Sequence, residues 1–294
     1  MRIPTIWYKH SEEFEIDNWE KTPKGGWRKN GKVLLMHNFI GGSTRSEQDA
    51  KNQALKKRDI IQSKIEVKYD YRNPPDYEID IREEVIAKIN DRNIITRNRY
   101  GALVLNSEHM MIVDVDNDKA QYRLRASAIN PFAGLISLFV KTKTYSPGLL
   151  GRLEKVLDRE SYRHLYTRIY KTPNGYRLII QGEEFVARSK QSSKLMQLLY
   201  VDRQYADICY QQQCYRARLT PKPWRINMKR PKIIFPFRTA EEDTMHNEWV
   251  RNYQNNSEGY SACRLISEIG RPMQSRAVEY HDKFCRALSN LPMA

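Results

Sequence analysis

Ile112-Val113-Asp114-Val115-Asp116-Asn117-Asp118 alternates apolar and acidic side chains, the period of a β-strand. Asp114 and Asp116 would point to one face of that strand, and Val113 and Val115 to the other. Two carboxylates side by side repel each other. A divalent cation held by oxygen ligands keeps both ionised, and such pairs recur where phosphoryl or nucleotidyl groups are transferred. The plainer alternative is a strand end whose acids face water.

Outward from this stretch, Ala102–Leu105 and Met110–Asp116 read as two strands joined by a turn at Asn106-Ser107-Glu108. A helix is expected around Ile81–Asn90, preceded by a linker over Tyr69–Tyr77 that carries Asn73-Pro74-Pro75-Asp76. Beyond the acids, Lys119 to Leu153 is basic and free of Asp and Glu, and a helix is expected over Gly148–Arg163. A second hairpin follows, Tyr166–Tyr170 and Tyr176–Ile180, turning at Thr172-Pro173-Asn174-Gly175. Lys171 and Arg177 flank that turn, whose backbone N–H groups would suit a phosphate. A helix near Ser189–Leu199 and a tail of helices around Trp249 and Ser275–Leu288 complete this part.

Near the start, Gly25-Gly26 and Asn30-Gly31 are turn signals, and Asn-Gly between extended runs suggests a hairpin. A short strand over Val33–Met36 would end near Phe39-Ile40, broken by Gly41-Gly42-Ser43. Thr44 with Glu47 fits a capping box for a helix over Ser46–Ile65 with Ala50, Ala54, Ile61 and Ile65 on one face. Strands and helices mix without βαβ alternation, which defines an α+β protein. The expected organisation is an N-terminal hairpin-helix module over 1–68, a core over 69–240 and a helical C-terminal extension over 241–294.

The 294 residues carry 50 Lys and Arg against 35 Asp and Glu, a formal charge of +15, which favours polyanionic partners. The densest basic segment is Arg216-Ala217-Arg218-Leu219-Thr220-Pro221-Lys222-Pro223-Trp224-Arg225, continuing to Lys229, Arg230 and Lys232 without an acid between Asp207 and Glu241. Arg216 and Arg218 would share a strand face, offering bidentate donors to phosphate oxygens. Trp224 among cations is placed to stack on a base. No run of about 18 apolar residues is present, so no membrane span is expected, and the start lacks the apolar core of a signal peptide. A cytoplasmic location is expected. Walker, G-x-G-x-x-G and G-x-S-x-G motifs are missing, which argues against those nucleotide-binding and hydrolase classes. Cys209 and Cys214 are five apart, and His281 and Cys285 four apart on an expected helix. A zinc site would require these pairs to meet, and ordinary reduced thiols are the expected reading.

Taken in this order, the motifs resemble the archaeo-eukaryotic primase superfamily, which includes primase-polymerases. Asp114 and Asp116 match its first motif. The hairpin around Asn174-Gly175-Tyr176-Arg177 occupies the place of its second, although the motif's histidine is absent and Tyr176 or Arg177 stands there. Tyr200-Val201-Asp202-Arg203, with Tyr215 to Lys222, resembles its third. The resemblance covers about Thr96–Arg225. It implies a mixed-sheet core of RRM-type topology, with Asp114, Asp116 and Asp202 as catalytic ligands of Mg²⁺ or Mn²⁺. Lys171, Tyr176, Arg177, Arg216, Arg218 and Lys222 would bind nucleotide or phosphate, and Trp224, Arg225, Lys229 and Arg230 would bind nucleic acid. The implied activity is metal-dependent nucleotidyl transfer or a derived phosphodiester chemistry, with DNA or RNA and nucleoside triphosphates as partners. The alternative is a non-catalytic nucleic-acid-binding protein that keeps the fold. The stretches Thr96–Asn106 and Ala217–Arg225 also resemble a widespread bacterial family of unassigned function.

Overall fold

A computed structural model describes residues 1, 3–23, 25–65, 81–116 and 148–294. Asn117, Asp118, the 69–77 linker and most of the basic 119–153 stretch lie outside the described residues. Within them are three antiparallel sheets and six α-helices, the mixed α+β class expected. The chain divides into two compact units, Arg2–Arg82 and Glu83–Ala294, the second including Met1.

The first unit is a long hairpin, β1 (Ile6–Lys21) and β2 (Trp27–Ser43), followed by helix α1 (Glu47–Ile65). The turn falls at Thr22–Gly26, with Gly25 at φ 85° and Thr22 O accepting Gly25 N at 3.0 Å. Asn30-Gly31 is therefore not the hairpin turn. It sits inside β2 where the register shifts between Asp17 and Trp19, and Gly31, at φ 74°, takes up the extra length as a bulge. Gly41-Gly42-Ser43 does not break the strand either. A Cβ on Gly41 would stand 1.9 Å from the Ala50 carbonyl oxygen, so this glycine lets β2 lie directly against α1. Ala50 and Ala54 are fully buried at that seam. The helix is capped by Ser46, whose Oγ accepts Asp49 N at 3.1 Å, rather than by Thr44.

The second unit holds two four-stranded sheets. One has the order β3 (Glu84–Asn90), β4 (Asn93–Arg97), β5 (Leu103–Ser107), β9 (Tyr215–Arg218). The other has the order β10 (Arg264–Ile269), β7 (Tyr166–Thr172), β8 (Gly175–Gln181), β6 (Met111–Asp116). The helix expected at Ile81–Asn90 is thus strand β3. Val85, Ile86 and Ile89 are β-branched, and Asn90 shapes a tight return to β4 by accepting Arg92 N at 3.0 Å. The strands β5 and β6 follow each other in sequence but do not pair; each belongs to a different sheet. The β7–β8 hairpin forms as expected.

Met111, Ile112 and Val113 are all fully buried, so β6 is covered on both faces, as its apolar run requires. The two sheets are tied by Tyr205. Its hydroxyl donates to the Ile112 carbonyl of β6 at 2.6 Å and accepts Arg216 N of β9 at 3.1 Å. The remaining helices are α2 (Leu149–Leu157), α3 (Lys190–Leu198), α4 (Arg203–Gln212), α5 (Ala240–Ser257) and α6 (Arg276–Cys285). The expected helix over Gly148–Arg163 stops at Leu157 and resumes as a 3-10 turn, Glu160–Tyr162. The tail is not purely helical. β10 comes from it and pairs with β7, which joins 241–294 to the core sheet.

Candidate functional site

The β6–β8 register sets Asp114 opposite Arg177 and Asp116 opposite Gly175. Glycine is needed at that last position, because a Cβ on Gly175 would stand 2.0 Å from the Val115 carbonyl oxygen. Arg177 is only 2% exposed and grips Asp114 in a fork, Nε to Oδ1 at 2.7 Å and Nη2 to Oδ2 at 3.0 Å. Its Nη1 donates to the Arg218 carbonyl at 2.8 Å and faces His281 Nε2 at 3.3 Å. Arg177, assigned to phosphate from sequence, is turned inward with all three nitrogens engaged. The Asp114 side chain keeps 45% of its exposure. Desolvation alone would raise its pKa, but the Arg177 charge and hydrogen bonds, helped by Arg218 and His281, outweigh it and hold the carboxyl below its ordinary value.

Asp116 is exposed, and its pKa is raised, by desolvation first and then by the charges of Asp114 and Asp202, with Lys222 and Arg225 opposing. Asp202 lies just before α4, where its Oδ1 accepts Tyr205 N at 3.2 Å as a helix cap. The three aspartates therefore share one field. They do not form a cluster with ligand atoms within 4.8 Å of one another; among the described residues only Cys263, His281 and Cys285 do so. With both Asp114 oxygens held by Arg177 and Asp202 serving as a cap, these carboxylates do not fit a preformed Mg²⁺ or Mn²⁺ site.

Arg216 and Arg218 share a face of β9, yet their surroundings differ. Arg216 Nη2 donates to Glu83 Oε1 at 2.6 Å, and the same carboxylate accepts Thr96 Oγ1 at 2.6 Å. Arg216 is thus a structural pair rather than a phosphate ligand. Arg218 has a buried Nε with no hydrogen-bond partner. Its pKa is lowered by burial and then by Arg177 and Arg225, although Asp114 acts in the opposite sense. Lys222 is lowered too, by burial, Arg218 and Arg225. Burial leads both shifts; the cations depress one another further, with Asp114 opposing at Arg218 and Asp116 and Asp114 opposing at Lys222.

The hairpin tip does not offer its Gly175 N–H to an anion, because that group already donates to Thr172 Oγ1 at 3.0 Å. Lys171 Nζ rests 4.4 Å from the centre of the Tyr176 ring.

Next to the cations lies a groove of about 950 Å³, lined by Tyr100, Trp224, Met228, Lys229, Arg230, Lys232 and Trp249 among others. Trp224 is 50% exposed and meets the Tyr100 ring edge-on at 5.4 Å. Lys222 Nζ lies 5.4 Å over Trp224, joining groove and cation cluster. Trp249 is stacked on Tyr253 at 5.0 Å and donates its Nε1 proton to the Lys229 carbonyl at 3.0 Å. Gly101, at φ 84°, admits the Trp249 ring where a Cβ would stand 2.1 Å from it. Pro223–Ile226 forms a 3-10 turn that presents Trp224. Tyr100 and Trp249 were not singled out from sequence. The Asn98–Gly101 turn, which carries Arg99-Tyr100 at its centre, is the signal for the first, and nothing local marks the second.

Comparison with protein-family models, with curated proteins and with solved structures gives no match for this chain. No described helix is long and apolar enough to cross a membrane.

Proposed function

We propose that this protein binds single-stranded nucleic acid, stacking bases in the Tyr100–Trp224 groove and holding phosphates over Arg218, Lys222 and Arg225. The observation that carries this reading is the buried, unpartnered Arg218 Nε within a cluster of like charges, beside a half-exposed Trp224. A guanidinium in that position loses hydration with one nitrogen left unpaired and cations on two sides, and a phosphate supplies the missing negative charge. Aromatic faces next to a cationic track recognise bases without sequence preference. The core is proposed to be a primase-like scaffold of RRM-type topology that has kept the D-x-D strand while one of its acids became a structural partner.

A second reading, primase-like nucleotidyl transfer, is favoured by Asp116 lying in the field of both Asp114 and Asp202. It requires Asp114 to leave Arg177, and nucleotide incorporation with Mg²⁺ or Mn²⁺ is its test.

Tryptophan fluorescence during titration with a short oligonucleotide tests the first reading. Binding should quench the emission. Trp224→Ala should weaken affinity by about 5- to 150-fold, the ~1–3 kcal/mol of one stacked base. An affinity unchanged by Trp224→Ala would remove the groove from the interface.

A further inference from the structure

Behind Arg177, three side chains from the C-terminal segment converge in the core. Cys263 directly precedes β10, while His281 and Cys285 stand one turn apart on α6. The backbone holds them together, with Ala262 N donating to the Cys285 carbonyl at 3.0 Å and Leu265 N to the Ala287 carbonyl at 2.9 Å. All three side chains are fully buried, and their ligand atoms lie within 4.8 Å of one another.

We propose that Cys263 Sγ, His281 Nε2 and Cys285 Sγ bind a zinc ion. Cys263 Sγ and His281 Nε2 are 3.9 Å apart. A tetrahedral ion with Zn–S of about 2.3 Å and Zn–N of about 2.0–2.1 Å spaces a thiolate and an imidazole by about 3.6 Å, so a shift of a few tenths of an ångström closes this pair. The imidazole is oriented for the task. His281 Nδ1 donates to Asp282 Oδ1 at 3.0 Å, which leaves the Nε2 lone pair facing the thiols, where it now accepts from Arg177 Nη1 at 3.3 Å and where an ion would have to displace that contact. Asp282 is itself fixed by the Tyr170 hydroxyl at 2.8 Å and by Arg168 at 3.0 Å.

Two thiolates and a histidine select a soft or borderline ion over Mg²⁺ or Ca²⁺. Charge suits a divalent ion. Two thiolates cancel Zn²⁺, and the adjacent Asp114–Arg177 pair cancels itself, so the buried assembly carries no net charge. Arg177 Nη1, 3.9 Å from Cys285 Sγ, is placed to donate to a metal-bound thiolate. The fourth position is left to a water or to the Arg218 carbonyl oxygen, 3.8 Å from Cys285 Sγ. Zinc here would pin β10 and α6 behind the Asp114–Arg177 pair, a structural role independent of the nucleic-acid reading.

The test is metal exchange on the full-length chain. Protein stripped with a chelator and titrated with Co²⁺ should develop thiolate-to-cobalt charge-transfer absorption of two-thiolate intensity at one ion per chain, reversed by Zn²⁺. Cys263→Ser and Cys285→Ser should each lower the intensity and weaken Co²⁺ binding at least tenfold, whereas Cys214→Ala should leave both unchanged. If the serine variants do not fold, the wild-type spectrum decides alone, since a site without thiolates gives no such band. Absence of the band in the wild type, or a band that survives Cys263→Ser intact, would overturn the proposal.

Discussion

Replacing Asp114 with Asn separates a structural carboxylate from a catalytic one. The substitution keeps the shape and removes the charge that compensates Arg177, a guanidinium 2% exposed. Breaking a buried pair by removing one partner costs about 3–5 kcal/mol. Asp114 keeps 45% exposure, so water screens part of the pair, and the lower end, about 3 kcal/mol, is expected. At about 2–4 °C per kcal/mol for a domain of 150–250 residues, the melting temperature should fall by about 6–12 °C. The pH dependence has a definite sign. The folded pKa of Asp114 is depressed, so its contribution is complete above its unfolded value of about 3.9 and is lost as pH falls through the folded value. The gap between wild type and Asp114→Asn in thermal melts followed by circular dichroism should therefore be largest at neutral pH and shrink in acid. Combined with Arg177→Met, the loss should be smaller than the sum of the two single losses. An Asp114→Asn protein that melts like the wild type at pH 7 would refute this reasoning.

Arg218→Ala should weaken oligonucleotide binding several-fold and lower the melting temperature less than Asp114→Asn does, because Arg177 remains to hold Asp114; a large loss of stability with unchanged affinity would assign it a structural role instead. Asp116→Asn should strengthen oligonucleotide binding. The Asp116 pKa already lies above its ordinary value, and a nearby phosphate would raise it further, so binding takes up a proton and affinity rises as pH falls through that pKa. Titrations at several pH values should show this trend in the wild type and its absence in Asp116→Asn. Gly175→Ala should destabilise by about 1–3 kcal/mol in chemical denaturation, since the new methyl meets backbone at 2.0 Å, and a neutral result would mean that the β6–β8 register is looser than described.

Period-two alternation made the acidic strand and the β7–β8 hairpin legible, because both are local patterns bounded by strong turn residues. Val85-Ile86-Ala87-Lys88-Ile89 shows no such alternation in sequence, and its short apolar run fits a buried helix as well as a strand. Asn30-Gly31 carried a turn signal that the longer pairing of β1 with β2 converted into a bulge. Partner choice was the larger gap. Arg177, Arg216 and Arg218 have the same chemistry in the sequence, and only tertiary packing hands Asp114 to the first, Glu83 to the second and no hydrogen-bond partner to the Nε of the third. Cys263 lies 18 residues from His281, so the spacing that paired His281 with Cys285 gave no hint of the third thiol.

The most direct test of the nucleic-acid account is the affinity for a single-stranded oligonucleotide measured across a series of salt concentrations. Counterion release gives a slope of about −0.7 in log K against log salt per phosphate neutralised. Engagement of four to six of Arg218, Lys222, Arg225, Lys229, Arg230 and Lys232 predicts a total slope of roughly −3 to −4. No binding at low salt, or an affinity flat across the series, would contradict it.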